Sequence, residues 1–322
     1  MPWKEHLIGH TAQREALLED LRSGNIAHAY LFAGPRHLGK MTIAHWFASE
    51  LANFGKTEEE IELANIQIGK LMHPDILVLD KLWIEEESDD WEDISQYSNA
   101  PQTHRAKKPA AKTDTISIDD VRALQERLYE TGTGTYRACL IRSVERMQDA
   151  AANAFLKILE EPPTGLVFLL TTQAYAGLLP TIISRSRVMQ FRSLSNKELN
   201  PLLSGISPDD SSFILHVAHG APGVVAELRD DPDALRAHRV VHSSAQSFWR
   251  AASVQQRLQL LKPLQERTQE ADDLLMHLAL TLREKSPHIP QDQAEALQKL
   301  AEGLKTNVHR GLLMQRFALS LN

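Results

Sequence analysis

Thiols are nearly absent from this 322-residue chain, which has one cysteine, Cys139. That excludes an internal disulfide and any all-cysteine zinc site, and in its apolar setting Cys139 reads as a small core residue. Long apolar runs are missing too: none approaches the roughly 18 residues of a membrane span, and Met1 to Asp20 shows no charged-then-apolar leader pattern. The expectation is a soluble, cytoplasmic protein with no membrane partner. There is no excess of basic charge either. A formal net charge of -7 argues against a basic nucleic-acid coat and leaves room for a local basic groove. What remains, 43% hydrophobic and 24% charged, is globular in character and long enough for two or three domains, each with its own core.

The most informative stretch is Gly34-Pro35-Arg36-His37-Leu38-Gly39-Lys40-Met41-Thr42, set between the apolar runs Ala29 to Ala33 and Ile43 to Leu51. It reads as a strand, a glycine-rich turn and a helix start. Gly34 and Gly39 let backbone N–H groups curl around a phosphate, the helix N-terminus adds its positive dipole end, and Lys40 is the point charge. The full pattern G-x-x-x-x-G-K-[ST] also needs a hydroxyl for Mg²⁺, and Met41 stands there instead. Thr42 follows, but one residue on around a helix its side chain points about 100° away.

In chain order, Leu7 to Asn25 reads as an amphipathic helix, and a second helix follows the turn to about Asn53. Thr57 to Leu71 is a third, opened by Thr57 and Glu60 as a capping box. Ile76 to Leu79 and Tyr136 to Ile141 read as buried strands. Between them, Trp83 to Thr113 turns acidic and then basic and Pro/Ala-rich, with few apolar groups to bury, so it is expected to be a disordered insertion; a regulatory or DNA-contacting arm is the alternative. A phosphate-hydrolysing fold would end the Tyr136 to Ile141 strand in Asp-Glu, for the metal and the attacking water. This chain has Arg142-Ser143. Glu145, just beyond, reads as a surface residue. A helix from Asn153, stopped by Pro162-Pro163, precedes a strand at Val167 to Leu170 and another at Val188 to Phe191. Strands alternating with helices imply a parallel α/β sheet, with the turn and Arg142-Ser143 beside the crevice where such sheets bind ligands. From Ser195, which forms a capping pattern with Glu198, the chain is helical. The leucine stripes around Phe248, Leu261, Leu274, Leu278 and Leu282 read as core or subunit interface.

The run Asp149-Ala150-Ala151-Ala152-Asn153-Ala154-Phe155-Leu156-Lys157-Ile158-Leu159-Glu160-Glu161-Pro162-Pro163, with Thr171-Thr172-Gln173 and Ser184-Arg185-Ser186, closely resembles bacterial clamp-loader subunits of the delta-prime type, AAA+ proteins of DNA polymerase III. The resemblance spans Leu7 to Phe191 and continues more weakly to Asn307 to Leu313. It implies an α/β AAA+ P-loop domain over residues 1–194, a helical lid over 195–240 and an all-helical collar over 241–322. It also implies a role in DNA replication as a component of the DNA polymerase III holoenzyme, with motor (gamma/tau) and delta subunits as partners and, through them, the sliding clamp and primer-template DNA. Thr172 matches the family's phosphate-sensor position. Arg185 matches the arginine of its S-R-C motif, which enters a neighbouring subunit's ATP site. Met41, Arg142, Ser143 and Val224 stand where an active member carries a hydroxyl, Asp, Glu and a second sensor arginine. The reading is therefore a non-catalytic stator with no intrinsic ATPase that gives Arg185 in trans. Gly34, Gly39, Lys40, Thr42 and Thr172 form a vestigial nucleotide site where weak ATP or ADP binding stays open, and no cofactor is required. The alternative is an active AAA+ motor ATPase. Many relatives carry four zinc-binding cysteines in the region of Asn53 to Met72; this chain has none there, so no zinc and no metal site are expected.

Overall fold

The computed structural model describes residues 7–80, 98–100, 115–130, 132–284 and 291–321, which divide into two compact units: Met1–Pro201 with Gly220–Gly223, and Leu202–His219 with Val224–Asn322. The first unit is an α/β layer structure. Its helices are α1 (Thr11–Ser23), α2 (Lys40–Ala52), α3 (Glu58–Gly69), α4 (Ile118–Leu128), α5 (Asp149–Glu160), α6 (Pro180–Ser184) and α7 (Asn196–Leu199). The strands β1 (Ala29–Ala33), β2 (Ile76–Leu79), β3 (Arg137–Ile141), β4 (Leu166–Thr172) and β5 (Arg187–Gln190) pair in the order β2-β3-β4-β1-β5, all parallel. With the glycine-rich turn leaving the C-terminal end of β1, this is the AAA+ arrangement that the resemblance implied.

Both faces of the sheet are covered, which is why its strands read as continuous apolar runs rather than alternating ones. Side chains still alternate with a period of two. Tyr30, Phe32, Val167 and Leu169 face the layer of α1, α2 and α3, while Leu31, Phe168 and Leu170 face α4, α5 and α6. Phe155 of α5 meets Phe168 edge-on at 5.2 Å, and both are fully buried. Truncating such a ring costs about 3–5 kcal/mol. The helix starts at Thr57 and Ser195 follow the expected capping chemistry, with reciprocal side-chain and backbone bonds to Glu60 and Glu198, and Ser117 caps α4 in the same way with Asp120.

The expected disordered insertion is corrected in one place. Ser98–Ala100 is held against the edge strand β2: the Asn99 side chain accepts from the Val78 amide at 2.7 Å, and its own amide donates to the carbonyls of Ile76 and Leu71. An edge strand leaves backbone groups in need of partners, and Asn99 supplies them. The rest of Trp83 to Thr113 lies outside the described residues.

The second unit is helical, with α8 (Pro208–Ala218), the larger part of α9 (Pro222–Asp230), α10 (Pro232–Arg250), α11 (Val254–Leu260), α12 (Gln269–Glu284), α13 (Gln291–Leu304) and α14 (Arg310–Leu319). Its core gathers Phe248, Leu261, Leu274, Leu278, Leu282 and Phe317, with Phe248 stacked on Phe317 at 5.4 Å. Among the described residues no helix is long and apolar enough to cross a membrane.

Candidate functional site

The turn after β1 is built on two glycines in the left-handed half of backbone space. Gly34 has φ +154°, and a Cβ there would fall 2.4 Å from the Phe191 carbonyl oxygen. Its N–H donates to the Thr172 carbonyl at the end of β4 (3.2 Å). Gly39, φ +81°, is the residue from which α2 starts. Lys40 is buried, and its ammonium donates to the turn's own carbonyls, Gly34 O at 2.6 Å and Pro35 O. Burial pulls its pKa down to about 8; the Glu145 carboxylate opposes this, and the guanidinium groups of Arg142 and Arg36 add to it. Met41 packs against the apolar layer beneath the turn, and Thr42 sits half-buried on the first turn of α2.

Beside the turn, the ends of β3 and β4 carry a polar network. The Ser143 amide donates to the Thr171 hydroxyl (3.0 Å), and the Thr172 hydroxyl, fully buried, accepts from the Ala174 amide (3.1 Å). Arg36 donates to the Gln173 side chain, which in turn reaches the Ser143 hydroxyl (3.4 Å). Glu145 is not the plain surface residue expected from sequence. Its carboxylate accepts from the Gln173 amide (3.1 Å), turning it toward the turn and Lys40. Sequence reasoning gave no role to Gln173, although it belongs to the Thr171-Thr172-Gln173 run, and passed over Asp80.

Arg142 projects from the end of β3 and donates to the Asp80 carboxylate at 2.7 Å; Asp80 itself is almost buried. Arg146 ties the same corner together by donating to the carbonyls of Asp80 and Arg142, each at 2.8 Å. A hard dication on a nucleotide needs oxygen ligands. Here the hydroxyl position is Met41, and the strand-end carboxylate position is a cation that has already taken the nearby aspartate. These residues do not fit a Mg²⁺-nucleotide.

Arg185 is elsewhere. It caps the end of α6 one residue before β5, whose Arg187 pairs with Tyr30 near the start of β1. Because all strands run the same way, Arg185 lies at the N-terminal edge of the sheet and Gly34 to Lys40 at the C-terminal edge. Its guanidinium donates to the Thr181 carbonyl (3.2 Å) and to Glu160 at the end of α5 (2.6 Å). The structure thus brings Gly34, Gly39, Lys40 and Thr172 to one edge, with Thr42 on the adjoining helix, and sets Arg185 apart from them.

The model of the family described as DNA polymerase III, delta subunit, matches residues 9–195, more than half of the 322. The chain belongs to this family. It is a DNA polymerase III clamp-loader family member with relatives of two kinds. DNA polymerase III subunit gamma/tau of Mycobacterium bovis is 30% identical over 224 residues, 66% of this chain and 34% of that protein. DNA polymerase III subunit delta' of Bacillus subtilis is 25% identical over 238 residues, 71% of this chain and 62% of the relative. The match thus spans about a third of the gamma/tau protein's length and under two thirds of the delta' one. A DNA polymerase III gamma subunit-related protein of Thermotoga maritima aligns in structure over 94% of this chain and 98% of its own, at 18% identity and a TM-score of 0.45.

Proposed function

We propose that this family member is a non-catalytic, delta-prime-like clamp-loader subunit, a stator that keeps the AAA+ fold and gives Arg185 to the ATP of a neighbouring motor subunit during loading of the sliding clamp on primed DNA. The observation that carries the reading is the Arg142–Asp80 pair: a cation paired at the strand end reverses the charge that a metal-nucleotide requires. Arg185 supports it from the other side. It stands at the opposite edge of the parallel sheet from the chain's own turn, with its side chain 34% exposed beside Glu160. The motor and delta subunits are the partners in this reading, and the 195–240 and 241–322 segments are its lid and collar.

The second reading, an active motor, draws on Lys40 and the intact glycine turn and on the gamma/tau relatives. The two are separated by assaying the purified chain alone and with the motor and delta subunits of its own organism. The stator reading expects no ATP hydrolysis above background from the chain alone, and a stable complex on mixing. Hydrolysis by the chain alone that disappears in Lys40→Ala would establish an active site of its own.

A further inference from the structure

In the second unit, four histidines and a glutamate converge from helices distant in sequence. His216 comes from α8, His238 and His242 from successive turns of α10, and His277 and Glu284 from α12. His216 Nε2 stands 2.7 Å from Glu284 Oε1 but off the line of a hydrogen bond, which leaves this solvent-shielded nitrogen without a hydrogen-bond partner. His242 Nε2 is 3.4 Å from the same oxygen. The three donor atoms lie within 4.8 Å of one another.

The proton positions follow from the surrounding bonds. The Gln246 amide nitrogen reaches both His242 Nε2 (3.2 Å) and Glu284 Oε2 (3.4 Å), and an NH₂ group can only donate, so His242 Nε2 carries a lone pair and its proton is on Nδ1. That Nδ1–H faces His277 Nδ1 at 3.2 Å, and His277 Nε2 faces His238 Nδ1 at 2.9 Å. His277 is fully buried, with an imidazole nitrogen facing each of its ring nitrogens. One consistent set of tautomers results: His242 donates to His277, and His277 to His238. It is the pattern in which a metal-binding imidazole offers one nitrogen outward and hands its other proton to an orienting partner. At the open end, a histidine lone pair and a carboxylate oxygen face each other with no hydrogen between them, next to a second imidazole nitrogen.

We propose that His216, His242 and Glu284 bind a divalent ion of the zinc class, with water completing four-coordination on the solvent side, so that the ion staples α8, α10 and α12. Two imidazoles and a carboxylate suit Zn²⁺. On binding, the ion replaces the amide hydrogen at His242 Nε2, while Gln246 keeps its bond to Glu284. The expectation of no zinc rested on missing thiolates, and this donor set needs none. The proposal is independent of the stator reading.

The test uses the full-length chain, stripped with a chelator and titrated with Zn²⁺ against a chromophoric competitor, with the visible absorption of bound Co²⁺ as a second signal. One ion per chain is expected, together with a melting temperature that rises with Zn²⁺ and falls back on chelation. Glu284→Gln and the more exposed His216→Ala should each weaken binding at least about tenfold with unchanged circular dichroism. His28→Ala, an exposed histidine of the other unit, should leave binding as it was. The absence of a stoichiometric ion, or binding that survives both cluster variants, would overturn the site.

Discussion

At the C-terminal edge of the sheet the charged groups are held by buried partners: Lys40, itself buried, lies on the carbonyls of Gly34 and Pro35, and Arg142, half exposed, on the nearly buried Asp80. At the N-terminal edge, Arg185 and its partner Glu160 keep 34% and 50% of their side-chain surface exposed. The first edge is closed by bonds between residues the fold itself brings together. The second carries an ion pair of the exposed kind that contributes little and exchanges readily. In the stator reading, the chain loses the chemistry of its own phosphate turn and keeps the turn as architecture, while an arginine across the sheet stays available to another molecule.

If the turn is architecture, breaking it should unfold more than it inactivates. Gly34→Ala sets a Cβ against the Phe191 carbonyl and should lower unfolding free energy by about 2–3 kcal/mol in denaturant titrations of the isolated chain, whereas an unchanged midpoint would mean that the turn relaxes freely. Next in size is Arg142→Asp, which places like charge beside the nearly buried Asp80. A loss of about 1–2 kcal/mol is expected, discounted because Arg142 is half exposed, and ATP hydrolysis should not return although an acid has been restored. Hydrolysis gained by that one change would undo the contrast between the edges.

Lys40 gives a pH-dependent effect. Burial lowers its folded-state pKa to about 8 from 10.5, so between those values the unfolded chain binds more protons there and stability rises with pH. The penalty for burying the charged lysine is fully present below about pH 8 and fades toward 10.5. The stability difference between wild type and Lys40→Met should change across that window and be flat below it; a difference independent of pH from 7 to 10.5 would show that Lys40 keeps an ordinary pKa. The smallest effect belongs to Glu160→Gln, expected to cost under about 1 kcal/mol because its bond to Arg185 is exposed. A larger loss would make that pair structural and remove Arg185 from the available surface.

Much of the first unit was legible in the sequence because its signals are local. The apolar runs from Ala29 and Val167, the glycine turn and the capping pairs at Thr57 and Ser195 each act within a few residues. What escaped depends on strand order. Asp80 meets Arg142 because β2 and β3 are neighbours, and Asn99 docks on β2 because β2 is the edge strand. Glu145 lies beyond its strand as expected, yet the short helical turn Val144–Arg146 aims it back at Gln173. In the second unit, His238 and His242 are one helical turn apart, a weak signal, while His216 and Glu284 arrive by helix packing that no local pattern encodes.

The central claim is that Arg185 acts on a neighbour's ATP, and it is tested most directly by placing Arg185→Ala and Arg185→Lys in the complex reconstituted with motor and delta subunits and measuring DNA-stimulated ATP hydrolysis and clamp loading. Arginine fingers contribute about 10³–10⁵ in rate elsewhere. Where several sites share the work, the expected outcome is an intact complex with a partial loss of both activities. Lysine should rescue poorly because it lacks the planar fork. An assembled Arg185→Ala complex with unchanged hydrolysis and clamp loading would contradict the account and leave Arg185 a surface residue paired with Glu160.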